Sequence, residues 1–581
     1  MVGLTALRNR IGIKDLMDAD AIHRRRWGIL GVLVICLLVV ILDNTILNVA
    51  LKTIQEDLSA SQSQMQWAVD AYALVFAGLL IPFGVLGDRF GRKRLLALGM
   101  VTFGATSALT AFAQSPTQLI AFRALMGIGA AAVQPQTLSI IQNVFEPEER
   151  GKAIGIWAGA AGMAVAIGPL AGGTLLKYFW WGSVFLVNVP FVIVGVIAIL
   201  ILVPDSKDPR PGRLDPTGIL LSMAGLGVLV YGIIEGGNSN EWLRWNTLGA
   251  IVLGAVLLAL FVILERRSTH PTIDVNLFKN RYFAGGGAVI GLTFFALMGS
   301  TFYLAYYLQA VKGYTALTAG VALIAVAVAM MIAAPLSARL TARFGTRNVA
   351  GVGLIVVAIS MVGYGVVTET TPQWIIEVIM FGMGAGMGVT MAPATTAIMS
   401  AVPREKAGAG AAVNNTVRQV AGALGVAVLG SILAVVYRGH LGSDAPTKLA
   451  AKLDQPSAIV SQLPPSAQVA PNVRDDTSQS IGASLEFIQK TGAALKERGQ
   501  LLEDKVPPAQ AEQARAQAEQ AIGRFFQDSK DAFVSAMHVT SIVAALADLL
   551  GAAVAFTFLP GRTRRRAPTE EPELVDAAVP A

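Results

Sequence analysis

Apolar residues in this chain come in long unbroken runs. Between Trp27 and Ala50 the only charged residue is Asp43. Runs of this kind, each of about 20 residues, recur near 27–50, 67–87, 95–114, 118–141, 153–177, 182–203, 215–236, 246–265, 283–308, 317–338, 348–368, 374–399, 409–437 and 533–559. Each is long enough to cross a bilayer. Lipid offers no partner for backbone N–H and C=O groups, so each run predicts a helix. The pattern therefore predicts fourteen spans. One connection, 438–532, is much longer than the rest. It begins rich in Pro, Ser and Asp. After Pro507-Pro508 it turns into "AQAEQARAQAEQAIGRFFQ", whose helix formers can run on into the last span. It reads either as a variable insert or as an external cap or partner-binding hairpin.

Composition agrees with a lipid environment. The chain has 581 residues, 54% hydrophobic and 14% charged, whereas a soluble protein carries roughly a quarter charged residues. One buried core cannot absorb the surplus, because single cores stop growing at about 250–300 residues. Cys36, the only cysteine, lies inside the first run, so no intrachain disulfide or Cys-based metal site is available. Residues 1–26 are polar and end in Arg24-Arg25-Arg26. That segment lacks the layout of a cleavable signal and reads as a cytoplasmic leader to a retained first helix.

The loops alternate in charge. One set carries Arg24–Arg26, Arg89–Arg94, Arg150–Lys152, Lys207–Arg213, Arg266–Arg267 with Lys279 and Arg281, Arg339–Arg347 and Arg404–Lys406, and the tail from 560 to 581 adds Arg562 and Arg564–Arg566. The other set holds one Lys or Arg per loop at most: Lys52, Lys177, Arg244, Lys312. The positive-inside rule places the first set, and both termini, in the cytoplasm. The net charge of +7 is thus expected to set topology, not to bind nucleic acid.

The chain also repeats itself. "GVLGDRFGRK" at 84–93 aligns with "ARLTARFGTR" 254 residues later, and "EPEERGKA" at 146–153 with "VPREKAGA" 256 residues later. Two matches at nearly one offset indicate duplication. They divide the chain into a six-helix half at 27–203, two inserted helices at 215–265, and a second six-helix half at 283–559 that contains the long external insert. Parallel repeats of this kind surround a cargo site near the midplane.

Several motifs then carry a resemblance. "GVLGDRFGRKRLL" (84–96), "RALMGIGAAA" (123–132), "GKAIGIWAGAAGMAVAIGPLAGG" (151–173), "LDNTILNVAL" (42–51), "FLVNVP" (185–190), "YYLQAVKGYTALTAG" (306–320) and "NNTVRQVAGALG" (414–425) resemble the major facilitator superfamily. More narrowly they resemble its fourteen-span drug:proton antiporters. The resemblance implies an all-α membrane protein of two six-helix repeats plus two inserted helices. Four positions depart from the pattern. Lys52 stands where the family usually has Pro, Met126 where a Gln is common, and Gly182 where an Arg is frequent; the second copy of the loop motif has Ala342 where the first has Asp88.

The motif residues suggest roles. Gly84, Gly87 and Gly91 permit close helix approach and chain reversal. Asp88, at a helix boundary, can accept N–H groups of a following helix and pair with a nearby Arg. With Arg89 and Arg92 it would, by resemblance, latch one access state. Gly151, Gly155 and Gly159 make a smooth face, and Gly168-Pro169 is expected to bend that helix. Acids at membrane depth are the sharpest signal, since a charge at the bilayer centre costs about 2.5–3.5 kcal/mol even on insertion scales. Asp43 is expected as the proton-coupling carboxylate of the cavity, with Asp548 as a second candidate. The lone Arg123 needs a carboxylate or backbone partner, and a part in proton relay is implied by the resemblance. Asp70, in "WAVDAYALVFAG", is expected to recruit cations. Trp67 and Tyr72 would offer ring faces, and Glu235 is a further cargo-facing candidate. Glu377 and His538 sit near span ends.

No Walker loop, metal-ligand cluster or Ser-His-Asp arrangement stands out, so an ion gradient is the expected energy source and neither cofactor nor metal is expected. The expectation is a non-enzymatic, proton-coupled antiporter of the cytoplasmic membrane. It would export hydrophobic, mainly cationic drugs or dyes and work as a monomer among membrane lipids. Two rivals are an exporter of a native lipid or envelope metabolite, and a non-transporting sensor or scaffold acting through 438–532.

Overall fold

A computed structural model describes residues 13–58, 60, 62–208, 215–239, 242–268, 275–314, 316–442, 444–454, 469, 481–502 and 508–561. The arginines of the tail and the Pro- and Ser-rich part of the long connection lie outside them. All regular secondary structure among the described residues is helical. In chain order the helices are α1 (Ile13–Asp57), α2 (Gln62–Phe90), α3 (Arg92–Ala111), α4 (Pro116–Val144), α5 (Pro147–Tyr178), α6 (Ser183–Leu186), α7 (Asn188–Leu202), α8 (Pro216–Ser239), α9 (Trp245–Arg267), α10 (Arg281–Tyr306), α11 (Ala316–Ala322), α12 (Ile324–Phe344), α13 (Thr346–Tyr364), α14 (Gln373–Ser400), α15 (Ala407–Leu441), α16 (Ala445–Leu453), α17 (Ile481–Leu502) and α18 (Pro508–Phe558). Among the described residues, thirteen helical segments are long and apolar enough to cross a membrane. The expected span at 153–177 lies within the 32-residue α5, some of whose side chains are outside the description.

Local rules account for the helix ends. Ser115 caps α4 by accepting the Gln118 N–H at 3.3 Å, ahead of Pro116 at the first helical position. Between α2 and α3 the chain reverses at Gly91, where φ is 109°. The matching junction of α12 and α13 reverses at Gly345, where φ is 83°. Only glycine adopts these angles without strain. The repeated loop is therefore repeated as a conformation, with Gly91 and Gly345 in the same role.

The first seven helices pack around one core that includes Cys36, Phe103 and Trp157. The helices α10, α13, α14, α15 and α18 pack around a second that includes Tyr303, Met361 and Met537. The two meet where α2 lies against α15 and where α5 lies against α12. The repeat exchanges these two contacts, because α2 matches α12 and α5 matches α15. Small residues make them close. A Cβ on Gly84 would lie 2.5 Å from the Ala412 Cβ, and one on Gly155 would lie 2.6 Å from the Ala334 carbonyl oxygen. In lipid there is no hydrophobic drive between helices, so this packing and polar bonds must hold the halves together.

The pair α8 and α9 lies outside this assembly. α8 contacts α2 and α15, while α9 packs on α8 and exposes Val252, Leu253, Val256 and Ile263, as a lipid-facing helix would. α18 starts at the end of the molecule opposite Asp88 and runs unbroken for 51 residues from the helix-forming stretch through the last span. Beside it, α16 and α17 form a small apolar cluster with Leu449, Leu453, Phe487 and Phe525. The Tyr437 hydroxyl donates to Ser484 Oγ at 2.8 Å and ties that cluster to α15.

Candidate functional site: a central cavity, a buried ion pair and a latch

A cavity of about 810 Å³ lies between the halves. Its walls come from α1, α2, α4, α5, α8, α10, α12, α14 and α15. They are mostly apolar and include Phe76, Phe294, Met298, Met330, Met387 and Met391. It extends to Tyr437 and to Phe533 of α18. Met and aromatic side chains offer an adaptable surface that suits cargoes of varied shape. Asp70 and Arg418 are the two Asp, Glu, Lys or Arg residues among the described wall residues.

Behind this wall lies a polar cluster. Asp43 of α1 is buried and accepts a 2.5 Å bond from Arg123 Nη1 of α4 and a 2.9 Å bond from Asn188 Nδ2 of α7. Arg123 also donates to the Ala68 carbonyl oxygen at 3.2 Å and to Asn44 Oδ1 at 3.3 Å. Its guanidinium lies 4.3 Å from the centre of the Tyr72 ring. Asn188 donates further to Ser107 Oγ at 3.1 Å. Arg123 thus finds both a carboxylate and backbone partner. Asp43, however, is not on the cavity wall; its neighbour Asn44 is, as is Tyr72. A buried pair of this kind is stable only with its remaining polar atoms bonded, which Asn188, Asn44 and Ala68 achieve.

At the far end from Tyr437 the halves are latched. Asp88, at the last turn of α2, accepts bonds from Arg92 Nε (2.8 Å) and Nη2 (2.6 Å). It also accepts the Gly408 and Ala409 N–H groups at 2.8 and 3.0 Å. Those two amides open α15 in the other half, not the helix that follows Asp88 in sequence. The N-terminal turn of a helix has unpaired N–H groups and a positive dipole end, so it attracts a carboxylate. Arg92 reaches across as well, donating to the carbonyl oxygens of Arg404 (3.0 Å) and Glu405 (2.8 Å). One turn deeper, Gln142 of α4 donates to the Met399 and Val402 carbonyl oxygens at 2.6 and 3.1 Å. Nearby, Arg26 grips Glu149 at 2.7 and 3.0 Å and holds its carboxyl below the usual range.

The other sequence candidates fall in different places. Trp67 is exposed, stacks on Tyr231 with ring centres 6.1 Å apart, and is not among the residues that line the cavity. The Tyr72 ring meets Arg123 and stacks on Phe76, so it does not present a bare face. Ile234 lines the cavity, whereas Glu235 does not. Arg89 lies 5.7 Å from the Phe90 ring. Gly168 abuts Thr45 of α1; α5 continues past Pro169, whose side chain lies outside the description, as does that of Lys52. Asp548 is fully buried in α18, off the cavity wall, and neither of its oxygens has a hydrogen-bond partner among the described residues. His538 Nε2 lies 2.7 Å from the Val367 carbonyl oxygen, and exposed Glu377 pairs with Gln373 at 3.1 Å. Asn188 and Arg418 were both inside quoted motifs. Their marks were an amide and a lone cation within apolar runs, the same kind of signal that singled out Arg123.

Known proteins share this pattern. A sequence profile described as Major Facilitator Superfamily matches residues 33–426. The chain is 35% identical over 463 residues to "Multidrug efflux pump LfrA" of Mycolicibacterium smegmatis, covering 77% of this chain and 91% of the relative. It is 34% identical over 483 residues to "Methyl viologen resistance protein SmvA" of Salmonella typhimurium, covering 82% and 96%. Among solved structures, the human organic anion transporter MFSD10 superposes with a TM-score of 0.54 at 14% identity, covering 71% of this chain and 93% of that one.

Proposed function

Because the chain belongs to the Major Facilitator Superfamily and is a multi-pass transporter, we propose that it is a proton-coupled antiporter exporting hydrophobic, mainly cationic compounds. The observation that carries this reading is the 810 Å³ Met- and aromatic-lined cavity with Asp70 on its wall. The relatives named above add support: one is named an efflux pump and one a resistance protein against methyl viologen, a dication. The reading places the protein in the cytoplasmic membrane with Asp88 and both termini on the cytoplasmic side. In that orientation the latched end faces the cytoplasm, and the cavity extends toward the outside.

The coupling step would run through Asp43. Ionised, it holds Arg123. Protonated, it would release Arg123 to its other acceptors, the Ala68 carbonyl and Asn44. Asn44 lines the cavity and Ala68 lies two residues from Asp70, so protonation and cargo act on the same wall. Two occupied forms that favour opposite access states are sufficient for exchange. Asp548 would be a second proton site, in the other half. Gly84, Asp88, Arg89, Gly91, Arg92, Gly168 and Pro169 belong to the switching apparatus in this reading.

The test is dye efflux in everted vesicles under an imposed pH gradient, across cationic and neutral compounds. Wild-type protein should carry the cations from the bath into the acidified lumen, which is the export direction in everted vesicles. Asp43→Asn should lose gradient-driven efflux while still exchanging cargo across the membrane, and Asp43→Glu should keep part of the activity. Wild-type efflux in Asp43→Asn would move the coupling site elsewhere, and neutral lipid export alone would make the cargo a native amphiphile.

A further inference from the structure

Among the described residues, Arg418 has no acidic partner. It sits on α15 with 9% exposure and lines the central cavity. No carboxylate among the described residues lies within ion-pairing distance, and none of them accepts a hydrogen bond from its guanidinium; Nη1 is buried without a partner. Its contacts are two ring faces, with the guanidinium carbon 5.3 Å from the centre of Trp157 and 4.4 Å from that of Phe294. Rings attract the cation but leave its N–H groups without strong acceptors. One turn away, Asn415 lines the same cavity, is 2% exposed, and has neither amide atom bonded among the described residues. Gln419 lines it too.

The contrast with Arg123 is informative. Both are lone arginines in apolar runs, yet Arg123 is bonded to Asp43, Asn44 and the Ala68 carbonyl. Arginine stays charged in proteins, and a buried charge without a partner is destabilising unless something supplies one. A packing role would be served by an apolar side chain. The planar fork of a guanidinium fits a carboxylate, which can accept two parallel N–H bonds. A neighbouring free amide adds a donor of the same kind.

We propose that Arg418, with Asn415, is an anion subsite of the central cavity, and that the protein takes amphiphiles carrying a carboxylate, including zwitterions whose basic end is served by Asp70. This rests on the reading of the cavity as the cargo site and extends it from cations to acids. Asp70 on α2 and Arg418 on α15 then give the cavity two poles.

The test is equilibrium binding to the purified full chain in detergent, by fluorescence polarisation, of two dyes. One is a cationic rhodamine methyl ester; the other is the same dye as its free acid, a zwitterion. Wild-type protein should bind both with comparable affinity. In Arg418→Gln the ratio of acid to ester dissociation constants should rise roughly tenfold, as expected for loss of one charge-assisted hydrogen bond. Arg418→Lys should restore most of that ratio. If wild type binds the ester but not the acid, or if Arg418→Gln shifts both dyes equally, the subsite is wrong and Arg418 is a packing residue. If wild type binds neither dye, the cavity reading falls and takes the subsite with it. Should Arg418→Gln not give monodisperse protein, the wild-type comparison still decides: an acid bound more than tenfold weaker than its ester overturns the subsite.

Discussion

Replacing Asp88 by Asn should loosen the latched end of the transporter. Asp88 accepts four hydrogen bonds, and two of them, from the Gly408 and Ala409 N–H groups, cross to the other half. Bonds to a charged acceptor contribute about 1.5–3 kcal/mol each. An amide keeps one acceptor oxygen and turns its NH₂ group toward donors. One crossing bond would survive at neutral strength and the other would be lost, a net loss of about 2 kcal/mol. Arg92 keeps its own bonds to the Arg404 and Glu405 carbonyls, so the halves remain partly tied. With about 1.4 kcal/mol per tenfold, the balance between latched and released forms should shift about thirtyfold toward release. The assay is maleimide labelling of Ser139→Cys in a Cys36→Ala background. Ser139 is fully buried on α4, about one turn from Gln142, which bonds the other half. Labelling should accelerate by a comparable factor in Asp88→Asn, with membrane insertion unchanged because the apolar spans are untouched. Equal labelling rates with and without the substitution would refute the latch and leave Asp88 a role in topology only.

Asp70→Asn should weaken export of dications more than of monocations, because it removes the one carboxylate on the described cavity wall; equal losses for cationic and neutral cargo in a vesicle assay would reject it as a charge selector. Glu369 is held below the usual carboxylate range by bonds from Lys530 and Gln527. Its contribution is therefore complete above the unfolded value of about 4.3 and is lost as pH falls through the lower folded value. The Tm difference between wild type and Glu369→Gln should hold steady from about pH 7 to about pH 5 and fade near pH 3; a difference that grows on acidification would contradict the pairing. Lys448 of α16, whose side chain is 74% exposed, should, as cysteine in a Cys36→Ala background, react with an impermeant maleimide on intact cells. Reaction only after lysis would reverse the proposed orientation.

Much of this molecule is written in one dimension. Uncharged runs of bilayer length predict helices because lipid leaves the backbone no alternative, and α2, α4 and α14 lie where their runs placed them. The repeated loop could be matched by eye, and Gly91 and Gly345 carry positive φ in both copies. The polar residues that matter were visible as exceptions within apolar runs: Asp43, Arg123, Asp548, and equally Arg418 and Asn188. What the sequence could not supply was their partners. Asp88 was expected to cap the helix after it and instead caps α15, more than 300 residues on. Asp43 was expected on the cavity wall and lies behind it, held by Arg123 and Asn188. Trp67 was expected to meet cargo and stacks on Tyr231. Hydropathy fixes which residues enter the membrane, because transfer from water is decided residue by residue. It does not fix which helices meet, because every lipid-embedded surface is equally apolar and the choice is made by shape, by small residues such as Gly84 and Gly155, and by a few polar bonds. Only the packed structure therefore decides that one arginine is satisfied and the other is left facing a cavity.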